Sequence, residues 1–202
     1  PADDSLQKQQ IIFVGRLVEK KGASYLLDAF YQLHKDYPEY KLLIIGDGPE
    51  KKNLVEHSIK LGIVRFVEFK GGLHHDELPA HYQSSQIAVF PFITTNYGDQ
   101  EGFGLVLVEA MGCQCCVVAT DINTVKDIIR HNETGLIVKE KDSDAIYKAI
   151  TELIDNPDQM KDLAKNGRTH VADHFDWEHI AEEYVGIFSR LTKSISDEKD
   201  QK

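Results

Sequence analysis

The chain is poor in several features that would point to other classes of protein. No apolar run is long enough to span a bilayer, and the first residues lack the basic-then-apolar order of a secretory signal. Cations are scarce beside anions: 23 lysines and arginines against 33 aspartates and glutamates give a net charge of −10, which argues against a general binder of phosphate backbones such as DNA. That balance still leaves room for a local basic pocket around one small anion. Cysteine is confined to Cys113, Cys115 and Cys116, an odd number in one short stretch, so a disulfide framework is not expected. There is no internal repeat and no low-complexity linker. The expectation is a soluble, cytoplasmic protein of a reducing compartment.

What is present is an alternation of short β-branched apolar runs with helical patterns. Strands are predicted at 11–17, 41–45, 65–69, 87–90, 116–120 and 136–138, and several lack a polar face, as strands covered on both sides do. Helices are predicted at 23–35, 49–61, 76–84, 104–111, 123–130 and 144–154, with Pro49 at a first helical position and Gly62 just past a helix end. Strict alternation implies right-handed crossovers and an α/β, Rossmann-like, doubly wound parallel sheet of about six strands, with ligands beyond the strands' carboxyl ends. Two further helices follow at 157–170 and 176–192, the second capped by Asp176. Residues 1–192 are read as one domain and 193–202 as a disordered polar tail.

Three strand-to-helix junctions carry unusual residues. In "FVGRLVEKKG", Gly15 and Arg16 leave a strand while Lys20, Lys21 and Gly22 open a helix. Cations beside a helix N-terminus, whose unpaired N–H groups already attract anions, suit a diphosphate clamp; the alternative is a solvated basic loop. "IIGDGPE" runs a strand into Gly46-Asp47-Gly48-Pro49, ordinary turn chemistry that also admits a close backbone approach.

The third junction is "YGDQEGFGLVLVEAMG", where seven residues separate Glu101 from Glu109. A helix starting near Gly104 sets the two at most about 12 Å apart along its axis. A nucleoside diphosphate sugar has that scale. Its pyrophosphate would meet the helix N-terminus, and a carboxylate would accept from the hydroxyl-rich group on either side. Arg16 and Lys21 would neutralise the diphosphate. For Glu109 the alternative is a helix glutamate paired with a neighbouring cation. It stands between Val108 and Ala110 in an apolar stretch, where carboxylates rarely go unpaired.

In this order and spacing, "FVGRLVEKKG", "LLIIGDGPE", "GDQEGFGLVLVEAMG", "VVAT" and "ETGLIV" resemble the C-terminal half of family 4 glycosyltransferases, over residues 11–191. The paired glutamates are the most specific element. The resemblance implies a GT-B architecture, two Rossmann-like domains facing across a cleft, of which this chain would be the donor-binding one. It implies a retaining hexosyltransferase that needs no metal or other cofactor and takes a nucleoside diphosphate sugar, a UDP-sugar before a GDP- or ADP-sugar. Glu101 would be the catalytic carboxylate, meeting the transferred sugar and its phosphate together with Gly102, Phe103, Gly104 and Leu105. Gly15, Arg16 and Lys21 would hold the diphosphate, and Glu109 the ribose hydroxyls. Leu73, after Gly72 on the loop past the third strand, would contact the base.

The same resemblance implies a saccharide or lipid-linked acceptor, in cell-surface polysaccharide synthesis, bound by an N-terminal domain absent from these residues. The full-length enzyme would associate peripherally with a membrane, and no nucleic-acid partner is expected. A GT-B enzyme has roughly twice this many residues. The chain alone is therefore expected to bind donor weakly and transfer little, because the acceptor hydroxyl must be held against the anomeric carbon.

Two stretches depart from the resemblance. "GCQCCVV" puts Gln114 and Cys116 where glycine and proline are usual, and Gln114 predicts a different helix exit. "TDINTVKD" carries Asn123 and Thr124 in place of paired glycines, which leaves that loop without an assigned role at the pocket. Elsewhere plainer readings are favoured. The cysteines read as buried apolar side chains rather than a metal site, since neighbours on a strand face opposite ways. His74-His75 reads as a solvated loop and Trp177 as a packing residue; Asp99 either shapes the sugar subsite or makes a turn. The competing functions are a non-catalytic nucleotide-sugar-binding or sensing module and a sugar-nucleotide epimerase, for which the chain offers no acid–base set.

Overall fold

A computed structural model describes residues 9–176, 181 and 184–190. Six parallel strands form one sheet: β1 (Gln10–Val14), β2 (Lys41–Ile45), β3 (Val67–Gly71), β4 (Ile87–Phe90), β5 (Cys116–Thr120) and β6 (Leu136–Val138). Their spatial order is β3-β2-β1-β4-β5-β6. The helices are α1 (Ala23–Asp36), α2 (Lys51–Lys60), α3 (Leu78–Gln83), α4 (Leu105–Gly112), α5 (Asn123–Ile128), α6 (Ser143–Asp155) and α7 (Pro157–His174).

The two-residue period of the strands divides the core. Ile11, Phe13, Leu42, Ile44 and Val89 pack on one face with Phe30 and Leu33 of α1 and Ile150 and Leu153 of α6. Their neighbours Ile12, Val14, Leu43, Ile45 and Ala88 pack on the other with Tyr82 of α3, Leu107 and Met111 of α4 and Val125 of α5. Both faces are covered, which is why the strands read as unbroken apolar runs. Ile11 of β1 is in register with Leu42 of β2 on one side and Ile87 of β4 on the other. The strand order reverses between β1 and β4, and the loops leaving the carboxyl ends of these two strands lie where doubly wound sheets take ligands.

Several boundaries differ from the sequence expectation. Strand β1 stops at Val14: Leu17 is buried, but its amide donates to the Asp47 carbonyl at 2.9 Å, in the loop after β2. Residues Val64–Phe66 form a 3-10 turn, so β3 starts at Val67. Pro49 precedes α2 in a turn closed by Lys51 N–H to the Gly48 carbonyl at 3.1 Å. A 3-10 turn at His75–Glu77, capped reciprocally by His74 and Glu77, shortens α3. Helix α5 ends at Ile128, before 130, and α7 continues past 170 to His174. Of the predicted helix at 176–192, residues 184–190 are helical; Trp177 and the tail 193–202 lie outside the described residues.

The different helix exit expected from Gln114 is not found. Gln114 itself adopts the left-handed conformation, φ 62°. Its amide donates to Met111 and that of Cys115 to Ala110, at 2.9 and 3.0 Å. This bond pair is the one a glycine usually closes, because the backbone pattern depends on φ rather than on the side chain. Cys115 and Cys116 are buried on opposite faces of the sheet, Cys113 is half-buried, and all three are thiols. Burial pushes the Cys116 thiol up to about 12. Among the described residues no helix is long and apolar enough to cross a membrane.

Candidate functional site

The loops that follow β1 and β4 meet in a tight backbone contact. Gly22 ends the 3-10 turn at Glu19–Lys21 with φ 65°, and a Cβ there would lie 1.8 Å from the Pro91 carbonyl oxygen. Ile93 N–H donates to the Lys20 carbonyl at 2.9 Å. The loop after β1 is thereby fastened to the loop after β4, and their side chains meet.

Lys21 Nζ lies 2.5 Å from Glu101 Oε2, and each side chain retains only 13% of its exposure. The lysine stem runs along Gly15, where a Cβ would stand 3.7 Å from Lys21 Cδ, and the ammonium lies 4.8 Å from the centroid of Phe92. The other oxygen of Glu101 accepts from the amides of Phe103 and Gly104 at 3.4 and 3.3 Å. Gly104 is the N-cap of α4 at φ 73° and faces Leu107, Thr124 and Ile128 so closely that a Cβ would have contacts of 3.1–3.3 Å. Burial works to raise the Glu101 carboxyl, but the Lys21 hydrogen bond and charge, with the two amides, hold it below its ordinary value. The result is an ionised carboxylate and a cation at the positive end of a helix.

Neighbouring groups complete the wall. Lys20 Nζ donates to Asp99 Oδ1 at 3.0 Å and to the Gln100 carbonyl at 3.3 Å. Asp99 also makes a turn, its carbonyl accepting from Thr95 N–H at 2.9 Å. Gly102, Phe103 and Leu105 stand exposed. Arg16 is exposed too, and its guanidinium has no hydrogen-bond or ionic partner among the described residues. The solvated-loop alternative thus fits Arg16 but not Lys21.

Glu109 sits one helical turn along α4, half-buried. The Tyr82 hydroxyl donates to its Oε2 at 3.4 Å, and His75 Nδ1 lies 3.6 Å from its Oε1. No lysine or arginine pairs with it among the described residues. His75 is mostly exposed, as a solvated loop would have it, yet the loop carries it to Glu109. Leu73, on the same loop, packs its side chain against the cluster that holds Tyr82. Gly15, Lys21, Glu101 and Gly102–Leu105 therefore form one group, and Leu73 and Glu109 a second further along α4.

Sequence reasoning missed three contributors. Thr124 Oγ1 donates to the Glu101 carbonyl at 2.8 Å, so the loop left without a role fixes the backbone of the catalytic candidate. Glu140 accepts from the Thr94 amide at 2.6 Å, and Tyr82 reaches Glu109. None carries a local signal; each comes from an element more than twenty residues from its partner.

A family model for glycosyl transferases group 1 matches residues 3–170. A GDP-mannose-dependent alpha-(1-6)-phosphatidylinositol monomannoside mannosyltransferase of Mycobacterium tuberculosis is 30% identical over 176 residues, which is 87% of this chain and 46% of that protein. The C-terminal domain of a glycosyl transferase group 1 family protein (LpcC) from Francisella tularensis aligns with a TM-score of 0.76 at 27% identity, covering 88% of this chain and 95% of that one. Anabaena Alr3699/HepE, in complex with UDP and glucose, has the same fold, with a TM-score of 0.80 at 24% identity over 90% of this chain and 48% of that one. The chain spans about half the length of the curated relatives it matches.

Proposed function

Because the chain belongs to the group 1 glycosyl transferases, we propose that it is the donor-binding part of an enzyme that moves a hexose-type sugar from a nucleoside diphosphate sugar to a saccharide or lipid-linked acceptor. The observation that carries this reading is the meeting of Lys21 and Glu101 at 2.5 Å, at the N-terminus of α4 and the reversal point of the sheet. A cation for phosphate and a carboxylate for hydroxyls converge where a doubly wound sheet binds ligands. Arg16 and Lys21 hold the diphosphate along Gly15, with the first turn of α4 adding its unpaired amides. Glu101 is the catalytic carboxylate at the transferred sugar, aided by the backbone from Gly102 to Leu105. Glu109 takes the ribose diol, and the loop at Leu73 meets the base through its backbone.

As the bond from the anomeric carbon to the diphosphate breaks, negative charge grows on the leaving phosphate. Arg16, Lys21 drawn from Glu101, and the free amides of the first turn of α4 would stabilise that charge, and the reading gives no metal a role. The transfer is of the retaining kind, with a UDP-sugar as the first donor to try. These residues alone bind the donor and transfer little, since the acceptor has to be positioned by further protein.

A thermal-shift panel of UDP-, GDP- and ADP-sugars with their free diphosphates tests this, since a ligand of the folded state raises the midpoint with occupancy. At least one nucleotide should stabilise the chain, with Glu109→Ala weakening every nucleotide and Glu101→Ala removing only the increment due to the sugar. If no nucleotide shifts the midpoint, the reading is wrong. If Glu101→Ala leaves the preference for sugar nucleotide over free diphosphate intact, the sugar-side assignment is wrong.

A further inference from the structure

Tyr82 is 1% exposed and lies on α3 among Ile12, Ala88, Leu107 and Ala110, where a phenylalanine would fill the same space. What phenylalanine lacks is the hydroxyl. That hydroxyl donates to Glu109 Oε2 at 3.4 Å, on the adjacent helix α4. Burial first, and then the charge of Glu109, push the phenol above its ordinary value, so it remains a donor across the working range. Buried hydroxyls without a partner are costly, which makes the direction of this bond part of the packing rather than a surface accident. His75 is a weaker candidate for the same service, because its ring lies 3.6 Å from Oε1 and its side chain is 76% exposed.

We propose that Tyr82 is a positioning residue for Glu109, orienting that carboxylate so that its remaining lone pairs face a vicinal diol, and that the site thereby selects a ribonucleotide over a deoxyribonucleotide. The inference rests on the reading of Glu109 as the ribose ligand. A carboxylate offers about four acceptor positions, and Tyr82 occupies one. A Glu109 not held in this way can swing outward along the exposed part of its surface, and the two hydroxyls then meet it one at a time.

The test uses the 202-residue chain and Tyr82→Phe, which keeps the ring and its packing. Calorimetric affinities are measured for UDP, GDP and ADP, and for the 2′,3′-dideoxy form of whichever binds tightest. The wild-type chain should prefer the ribonucleotide by about tenfold or more, as charge-assisted hydrogen bonds do. Tyr82→Phe should cut that preference by about three- to tenfold while leaving the dideoxy affinity within about twofold. An undiminished preference in Tyr82→Phe overturns the positioning role but leaves Glu109 as the ribose ligand. An equal loss of both affinities also overturns it, in favour of a purely structural tyrosine. No preference in the wild-type chain removes the Glu109 reading itself, and this inference with it.

Discussion

Changing Glu101 to glutamine takes away a negative charge 2.5 Å from the Lys21 ammonium while keeping an oxygen for the Phe103 and Gly104 amides. In the wild-type chain an arriving diphosphate has to draw Lys21 away from a carboxylate that already satisfies it. Both side chains are 13% exposed, so this pair is not of the screened surface kind. A hydrogen bond to a charged group contributes roughly 1.5–3 kcal/mol. The glutamine oxygen, water and the Phe92 ring at 4.8 Å recover part of that in the variant. About 1 kcal/mol of competition is then relieved, which corresponds to a gain of about fivefold in affinity for free nucleoside diphosphate. The sugar nucleotide gains the same relief but loses the charge-assisted bond to its sugar, so its advantage over the free diphosphate should fall by about tenfold or more. Calorimetric titration of both ligands into wild type and Glu101→Gln, at one ionic strength and neutral pH, measures both quantities. Weaker binding of free diphosphate by the variant, or an unchanged advantage of the sugar nucleotide, would refute the reasoning.

Other outcomes follow from the same coordinates. The Glu101 carboxyl is depressed on folding, so its contribution to stability is complete above the ordinary carboxyl range and is lost as pH falls through the depressed value. Lys21→Met should shrink or reverse that acid loss in a pH titration of the thermal midpoint, because burial, the largest influence on this carboxyl, raises it once the lysine is gone; an unchanged profile would deny the pair its role. Gln114→Gly should stabilise the chain by about 0.5–1 kcal/mol, the left-handed penalty of a non-glycine residue less the extra freedom of glycine when unfolded; a urea midpoint that falls instead would count against the assigned conformation. Gly22→Ala should cost more than about 3 kcal/mol in urea unfolding and abolish nucleotide binding, because the added carbon cannot stand 1.8 Å from the Pro91 carbonyl. Ordinary stability in that variant would mean that the two loops do not meet as described.

The fold was legible where side-chain pattern and backbone pairing agree. Strands β2, β4, β5 and β6 begin and end where the apolar runs do, because a strand covered on both faces needs apolar residues throughout. Leu17 and Phe66 misled because apolarity reports burial of a side chain and not the partner of its amide, which for Leu17 is a loop carbonyl. In the site, that Glu101 would precede a helix carrying Glu109 was readable, because one turn and one helix separate them. The partners of those glutamates were not. Tyr82 and Thr124 reach them only because α3 and α5 flank α4 on one face of the sheet, and that adjacency comes from strand order rather than from any local spacing.

The central strand β1 is shared between β2, its neighbour in the chain as well as in space, and β4, which begins more than seventy residues after β1 ends. As the polypeptide leaves the ribosome, β1, β2 and β3 can zip together early, with the edge of β1 still unclaimed. Lys21 belongs to that early half, and both glutamates to the late one. On the proposed reading, a nucleotide could be held only once the nascent chain extends beyond Glu109, so the ligand would favour the final docking of the two halves rather than the formation of the first.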